Sequence, residues 1–510
     1  MIRGGPGYAA AAFVLLFIFG PLIVVFARAG GGTLPGPADW AAVRFSVTQA
    51  TLSALFSVIL AIPVSRALAR RKFPGRNMLI TLLGAPFILP VIVAVLGLLA
   101  VFGRSGILNS LLDWAGLPTV QIYGLHGVVL AHIFFNLPLA TRIFLQAWQQ
   151  IPAERFRLAA SLNMSAGQVL RRLEIPMIRA TAPGAFIVIF AICLSSFTVA
   201  LTLGGGPRAT TVELAIYQAF RFDFDLGRAA VLAVIQTVLA GIVALFALKY
   251  SRGEGFGAGL DRVVRRWDAQ SAGLRITDAA VMILTALFLL LPLVLVVING
   301  INGWAKMPDQ VFTALWVSLV ISLFSTALAL VLALAIALAA LHRGWVEVIG
   351  LLGIVSSPLV LGTGLFLIVH PYADPARLAF VVTGLVNALT ALPFVLRVLI
   401  PSLRGSEKNF GRLADMLGLT GWARLRFLLL PRARRALGFS AGLAAAFSMG
   451  DLGVITLFAD PGSATLPLQM YRLMGAFRME AAAGAGLLLL VSSLGLFWIF
   501  DKMGRGDVDA

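Results

Sequence analysis

Few residues in this chain of 510 could do chemistry, and their placement says which kind. Asp451 stands inside an otherwise apolar run, Ser448-Met-Gly-Asp-Leu-Gly-Val-Ile-Thr-Leu-Phe458. It is the one charged residue well inside such a run that no neighbouring basic loop accounts for. A carboxylate at bilayer depth is costly and is held there by function or by a partner. It could favour a cation on a transport path, or it could cap a segment after a helix break at Gly450 or Gly453. Ser195, Ser196, Thr198 and Ser448 are small polar residues near the same depth. They could line that path or simply let helices approach closely. His126, His132, His342 and His370 are dispersed, and Cys193 is the lone cysteine, so the spacing offers neither a metal site nor a catalytic cluster. A phosphate-binding loop of the Walker type needs Gly-Lys followed by Ser or Thr. None of Lys72, Lys249, Lys306, Lys408 and Lys502 follows a glycine, so any ATP chemistry must reside on another chain.

The elements that would carry these residues are membrane spans. The chain is 60% hydrophobic and 12% charged, against about 45–50% and about 25% in soluble domains. Crossing a bilayer core takes about 20 apolar residues in a helix. Twelve such runs follow one another: Tyr8–Ala27, Ser46–Ala67, Met78–Phe102, Leu125–Trp148, Pro183–Leu203, Ala229–Leu248, Ala279–Gly300, Phe312–Leu341, Val348–His370, Leu378–Ile400, Leu437–Phe458 and Ala481–Phe500. The first could be read as a signal peptide ending at Ala27-Arg-Ala29, but it is too long for one and its Pro21 region recurs around Pro292. The net charge of +18 sits in the short gaps between runs, which points to cytoplasmic loops rather than to nucleic acid. With both termini in the cytoplasm, about three quarters of the 40 Lys and Arg fall inside.

The chain also repeats itself. Pro138 and Arg142 match Pro393 and Arg397, and at the same spacing Arg157-Leu158-Ala159 matches Arg412-Leu413-Ala414 and Pro176 matches Pro431. Nearer the start the spacing lengthens: Pro21 matches Pro292 and Pro90 matches Pro358. Six spans per repeat return the chain to its starting side, so the halves should be parallel, related by an axis along the membrane normal. The expected division is a first half over 1–248 with its core from about residue 46, a charged cytoplasmic linker over 249–278, and a second half over 279–510 with its core over 312–501.

Each half carries a matching cytoplasmic loop. After the fourth span, Pro152 to Pro176 fits two short amphipathic helices, one grouping Phe156, Leu158, Ala159 and Leu162 and one grouping Val169, Leu170, Leu173 and Ile175. Ser165 is a cap candidate between them, and Pro176 should end the second. The second half repeats this from Glu407 to Pro431, with Gly418 at the bend and Thr420 as the cap candidate.

These loops resemble the EAA loop of bacterial ABC importer permeases: Glu-Ala-Ala, three residues, Gly, then Pro thirteen after the Gly. Gly418 and Pro431 keep that spacing. The chain departs from the pattern at the glutamate, which is Arg157 in one half and Arg412 in the other, and at Asn163, which replaces the first Gly. Asn also visits left-handed backbone, so the bend can survive. With the stretches Leu201–Ala230 and Ser448–Arg478, the chain is similar over nearly its whole length to fused permeases of the thiamine and thiamine pyrophosphate importers; ferric-iron permeases share the architecture.

The resemblance implies an all-α integral membrane protein of the type I importer fold in the bacterial inner membrane. It implies that this chain binds no cofactor and catalyses nothing. Two copies of a cytoplasmic ATP-binding cassette ATPase, holding ATP and Mg, would dock on the two loops through Glu154, Arg157, Leu158, Ala159, Asn163, Pro176, Arg412, Leu413, Ala414, Gly418 and Pro431. A periplasmic substrate-binding protein would deliver the cargo from outside, where Arg221-Phe-Asp-Phe-Asp225 and Arg478 could meet it. An ion-gradient transporter of the same span count would need intramembrane ionisable residues, which are nearly absent.

Overall fold

The computed structural model describes residues 5–31, 34–84, 88–250, 271–354, 356–459 and 464–505. Its regular elements are helices, with no strand among the described residues. Arg3 and most of the expected linker, including Arg252, Arg262, Arg265 and Arg266, lie outside them. Twelve principal helices run in chain order: α1 (Gly5–Ala29), α2 (Pro37–Arg70), α3 (Val91–Phe102), α4 (Leu125–Gln150), α5 (Ile175–Leu194), α6 (Leu226–Tyr250), α7 (Ala272–Gly303), α8 (Gln310–Ala340), α9 (Pro358–Val369), α10 (Pro375–Met416), α11 (Leu430–Met449) and α12 (Met479–Arg505). Eleven helices among the described residues are long and apolar enough to cross a membrane, and α9 is a shorter apolar helix. The molecule is an all-α multi-pass membrane protein.

The helices are apolar around most of their circumference, as lipid-embedded helices are. Leu16, Ile23, Leu245, Ile283, Trp316 and Val331 point outward from the bundle, where a soluble protein would place charge. Prolines stand inside α1, α2, α4, α5, α7 and α10. Buried transmembrane helices tolerate them because neighbouring groups take up the freed carbonyls.

Both halves use the same devices. Helix α1 packs on α9 and α8 of the other half as well as on α6 of its own, and α7 packs on α3 and α2 of the other half as well as on α12 of its own. At each crossing a glycine meets a proline backbone. A Cβ on Gly97 would lie 2.6 Å from the carbonyl oxygen of Pro292, and one on Gly364 would lie 2.5 Å from that of Pro21. Pro21 and Pro292 are the pair matched in the sequence repeat. On the Lys- and Arg-rich side, Asp278 near the start of α7 is buried and receives Arg70 Nε at 2.8 Å and Arg71 Nε at 2.7 Å from the end of α2.

Four of the expected runs are interrupted. Met78–Phe102 and Val348–His370 each divide into a short helix, Arg76–Leu82 or Gly344–Leu351, followed by α3 or α9. Pro90 and Pro358 sit where the second pieces start, a position that needs no backbone donor. Pro183–Leu203 breaks at Ser195 and Ser196, and Leu437–Phe458 breaks after Met449 and resumes at Ile455. These latter breaks fall at matching places in the two repeats.

After each break the chain forms a short helix, Val212–Arg221 in one half and Leu466–Gly475 in the other. Each is anchored by one serine of the neighbouring long helix. Ser46 Oγ accepts from Val212 N at 2.8 Å, and Ser318 Oγ accepts from Leu466 N at 2.7 Å. Helix N-termini leave backbone donors unpaired, so a buried hydroxyl there fixes both position and depth.

Candidate functional site

Two regions could work on something outside the chain: the paired loops and a cavity between the halves. The first loop begins with a helix over Ala153–Ser161 that closes at Asn163 in left-handed backbone, φ 49°. Met164 N donates to Ala159 O at 3.0 Å and Asn163 N to Ala160 O at 3.0 Å. The second closes at Gly418, φ 64°, with Leu419 N donating to Ala414 O at 2.9 Å and Gly418 N to Asp415 O at 3.1 Å. Both are Schellman closures, and both need a residue that accepts positive φ. Asparagine serves in one loop and glycine in the other, so the departure at Asn163 leaves the bend intact.

Beyond the bend the chain departs from the sequence expectation. Pro176 does not end a helix. The short helix Ala166–Val169 passes through a π turn, Leu170–Glu174, straight into α5, and Pro176 lies in the first turn of α5. The second loop repeats this with Gly421–Arg424, a π turn over Leu425–Leu429, and Pro431 in the first turn of α11. Ile175 N donates to Leu170 O and Leu430 N to Leu425 O, each one residue wider than in an α-helix. The wider turn absorbs the proline's missing donor and ring, so the helix bends without stopping. Ser165 caps as expected, in a reciprocal pair with Gln168. Thr420 occupies the cap position without a side-chain bond, because Gly421 follows it at φ 51°.

The faces also sort differently. Phe156, Ala159 and Val169 turn inward, but Leu158 and Leu162 are exposed rather than grouped with Phe156. Their repeat partners behave alike: Ala414 is buried while Leu413 and Leu417 are exposed. Arg157, Arg412, Glu154 and Pro176 are exposed as well. Each loop is braced from behind by a different ion pair. In the first, the fully buried Glu174 takes Arg66 Nε at 2.8 Å and Trp148 Nε1 at 3.3 Å. In the second, Arg424 joins Glu407 and, at 2.6 Å, Asp415. Two matching turns thus present leucines and an arginine to the outside on rigid supports, which suits docking on a partner.

The cavity, of about 260 Å³, lies where the interrupted helices meet. One half contributes Pro90, His132, Phe135, Asn136 and Ser196, and the other Phe394, Phe447 and Gly450. Of the sequence candidates only Ser196 lines it. Ser448 is buried, and Ser195 and Thr198 are half-buried beside the break. Asp451 is turned into the protein. Its Oδ1 accepts from Gly453 N at 3.2 Å. With the Asn387 amide oriented to satisfy its neighbours, that amide donates to Asp451 Oδ2 at 3.3 Å and accepts from Ser448 Oγ at 3.0 Å. The geometry is that of a local cap at a helix break.

Sequence reasoning passed over two groups. Glu213 is 1% exposed and accepts from Ser357 Oγ at 2.6 Å and from Gln236 Nε2 at 3.4 Å, joining the first half to the N-terminus of α9. It belongs to a stretch that read as an outer loop, so nothing in its neighbours marked it as buried. His132 and Asn136 did carry a signal, two polar residues one helical turn apart within a span. A loop tip next to each short helix also carries an exposed phenylalanine in left-handed backbone, Phe224 at φ 51° and Phe477 at φ 57°. That is rare for a bulky side chain.

The sequence matches known proteins along its whole length. It is 36% identical over 521 residues to the thiamine transport system permease protein ThiP of Brucella abortus (strain 2308), covering 99% of this chain and 96% of that protein. It is 37% identical over 517 residues to the protein of that name in Salmonella typhimurium, covering 98% of this chain and 96% of the relative. The chain belongs to the thiamine transport system permease family. The relative of the same name in Escherichia coli (strain K12) is 39% identical over 484 residues, covering 92% of this chain and 90% of its own. No family model matches the chain. Membership makes it a transport subunit rather than an enzyme, and the ferric-iron and ion-gradient alternatives draw no support from these relatives.

Proposed function

We infer that this chain is the membrane-spanning part of an ATP-driven importer that carries thiamine, or its pyrophosphate, from the periplasm to the cytoplasm. The observation that carries the reading is its full-length similarity to thiamine permeases at 33–39% identity. The duplicated turns at Asn163 and Gly418, alike in backbone and in what they expose, support docking of two copies of an ATP-binding cassette ATPase. ATP and Mg belong to that ATPase. Both termini lie in the cytoplasm on the distribution of Lys and Arg, so the loop tips at Phe224 and Phe477 face the periplasm, where a substrate-binding protein releases its cargo.

The ATPase can shift the membrane helices only by binding one arrangement more tightly than the other. The π turns supply the lever. Each loop continues without a flexible joint into α5 or α11, and each of those helices ends at an unwound break beside the cavity. A displacement of a loop therefore reaches the cavity wall through one helix. Uptake of labelled thiamine in cells lacking this chain, with and without its restoration, tests the reading, with ferric iron measured in parallel. Thiamine uptake that returns with the chain and requires the ATPase supports it. Return of iron uptake alone would move the chain to another cargo.

A further inference from the structure

The cavity holds a group that the fold leaves unsatisfied. His132 is 3% exposed, and its Nδ1 lies 3.2 Å from Ser53 Oγ. Its Nε2 is buried and has no hydrogen-bond partner. A buried polar atom left without a partner is destabilising, so the arrangement persists at a standing cost. His132 lines the cavity together with Asn136, one turn further along the same face of α4. The Asn136 amide nitrogen donates to His132 O at 2.8 Å and to Cys193 Sγ at 3.4 Å, and its oxygen remains as an acceptor. Phe394 and Phe447 of the other half also line the cavity, with ring centroids 5.2 Å apart at 74°.

Resting on the thiamine reading above, we propose that this cavity is a subsite for one aromatic heterocycle of the cargo, held by His132 Nε2 and Asn136 Oδ1 along its polar edge and by Phe394 and Phe447 against its ring. In the tautomer this subsite requires, the Ser53 hydroxyl donates to Nδ1 and the ring proton of His132 sits on Nε2. The α4 face then presents one donor beside one acceptor. An edge with a ring nitrogen next to an exocyclic amino group, as in an aminopyrimidine, satisfies both at once. A phosphate offers acceptors only, so the Asn136 oxygen repels it, and the pyrophosphate of a phosphorylated cargo lies outside this subsite. The specificity is one-sided, because the repeat partner of His132 is Asn387, which is spent on Ser448 and Asp451.

The test uses the complete importer in membrane vesicles, with its ATPase and binding protein. Initial uptake is measured for thiamine and for an analogue whose pyrimidine amino group is replaced by hydrogen. One neutral hydrogen bond contributes about 1 kcal/mol, so the wild type should show a KM for the analogue about five- to tenfold above that for thiamine. N136L should raise the thiamine KM to that of the analogue and erase the preference, because the amino group donates to the Asn136 oxygen, whereas H132L loses the ring-nitrogen contact and raises both KM values about five- to tenfold with the ratio kept, and H132Q restores part of that loss. The same binding protein feeds every variant, so a changed ratio belongs to this chain. An N136L importer with the wild-type ratio, an H132L importer with wild-type KM values, or a wild type without preference overturns the subsite. If N136L does not assemble, H132L is read by the parallel rise in both KM values. A wild type that moves no thiamine overturns the transport reading itself, and this inference with it.

Discussion

Alanine at Gly97 and at Gly364 should destabilise the protein by similar amounts, because each glycine lets one half's first helix cross the other half. A Cβ added at Gly97 would stand 2.6 Å from the Pro292 carbonyl oxygen and 3.0 Å from its carbon. At Gly364 the corresponding atoms are the Pro21 oxygen at 2.5 Å, the Pro21 Cβ at 2.6 Å and the carbonyl carbon at 2.8 Å. Both obstacles are backbone or proline ring, which cannot rotate aside, so a whole helix must move. Forcing a methyl into a packed interior costs about 1–3 kcal/mol. The two crossings share no residue, so the double variant should lose about the sum. Gly241 is the control. It lies inside α6 with nothing within 4 Å of an added Cβ, so Gly241→Ala should be neutral or gain about 0.5–1 kcal/mol from helix propensity. Thermal unfolding of the purified chain in detergent reads all four variants. Melting of Gly97→Ala and Gly364→Ala at the wild-type temperature, level with Gly241→Ala, would refute the account of how the halves interlock.

Three other outcomes are expected. Gly418→Val places a β-branched residue at φ 64° and costs about 1–2 kcal/mol locally, lowering ATP-driven uptake, whereas Asn163→Gly keeps uptake; equal uptake by both would count against the bend. Leu158→Asp with Leu413→Asp should abolish co-purification of the ATPase while the chain still reaches the membrane, since both side chains are exposed. Retained co-purification would place docking elsewhere. Glu213→Leu strands the Ser357 hydroxyl and Gln236 and costs about 1–3 kcal/mol, whereas Glu213→Gln keeps an acceptor for Ser357. Thermal unfolding should therefore rank Leu well below Gln.

The helical, multi-pass character of the chain is legible in its residues alone, because apolar runs of span length have no other solution in a bilayer. So are the matching bends at Asn163 and Gly418, since left-handed backbone is a local demand that few residue types meet. Composition and repeats report on what each residue tolerates in isolation. Where those tolerances are used depends on packing in three dimensions. Pro176 and Pro431 continue their helices, because a π turn depends on helix packing that no local pattern encodes. The capping of the Gly453 N–H by Asp451, the unpartnered Nε2 of His132 facing the cavity, and the burial of Glu213 emerge at that level too. The partners Ser357 for Glu213 and Pro292 for Gly97 are far away along the chain, and burial arises from contacts of that kind.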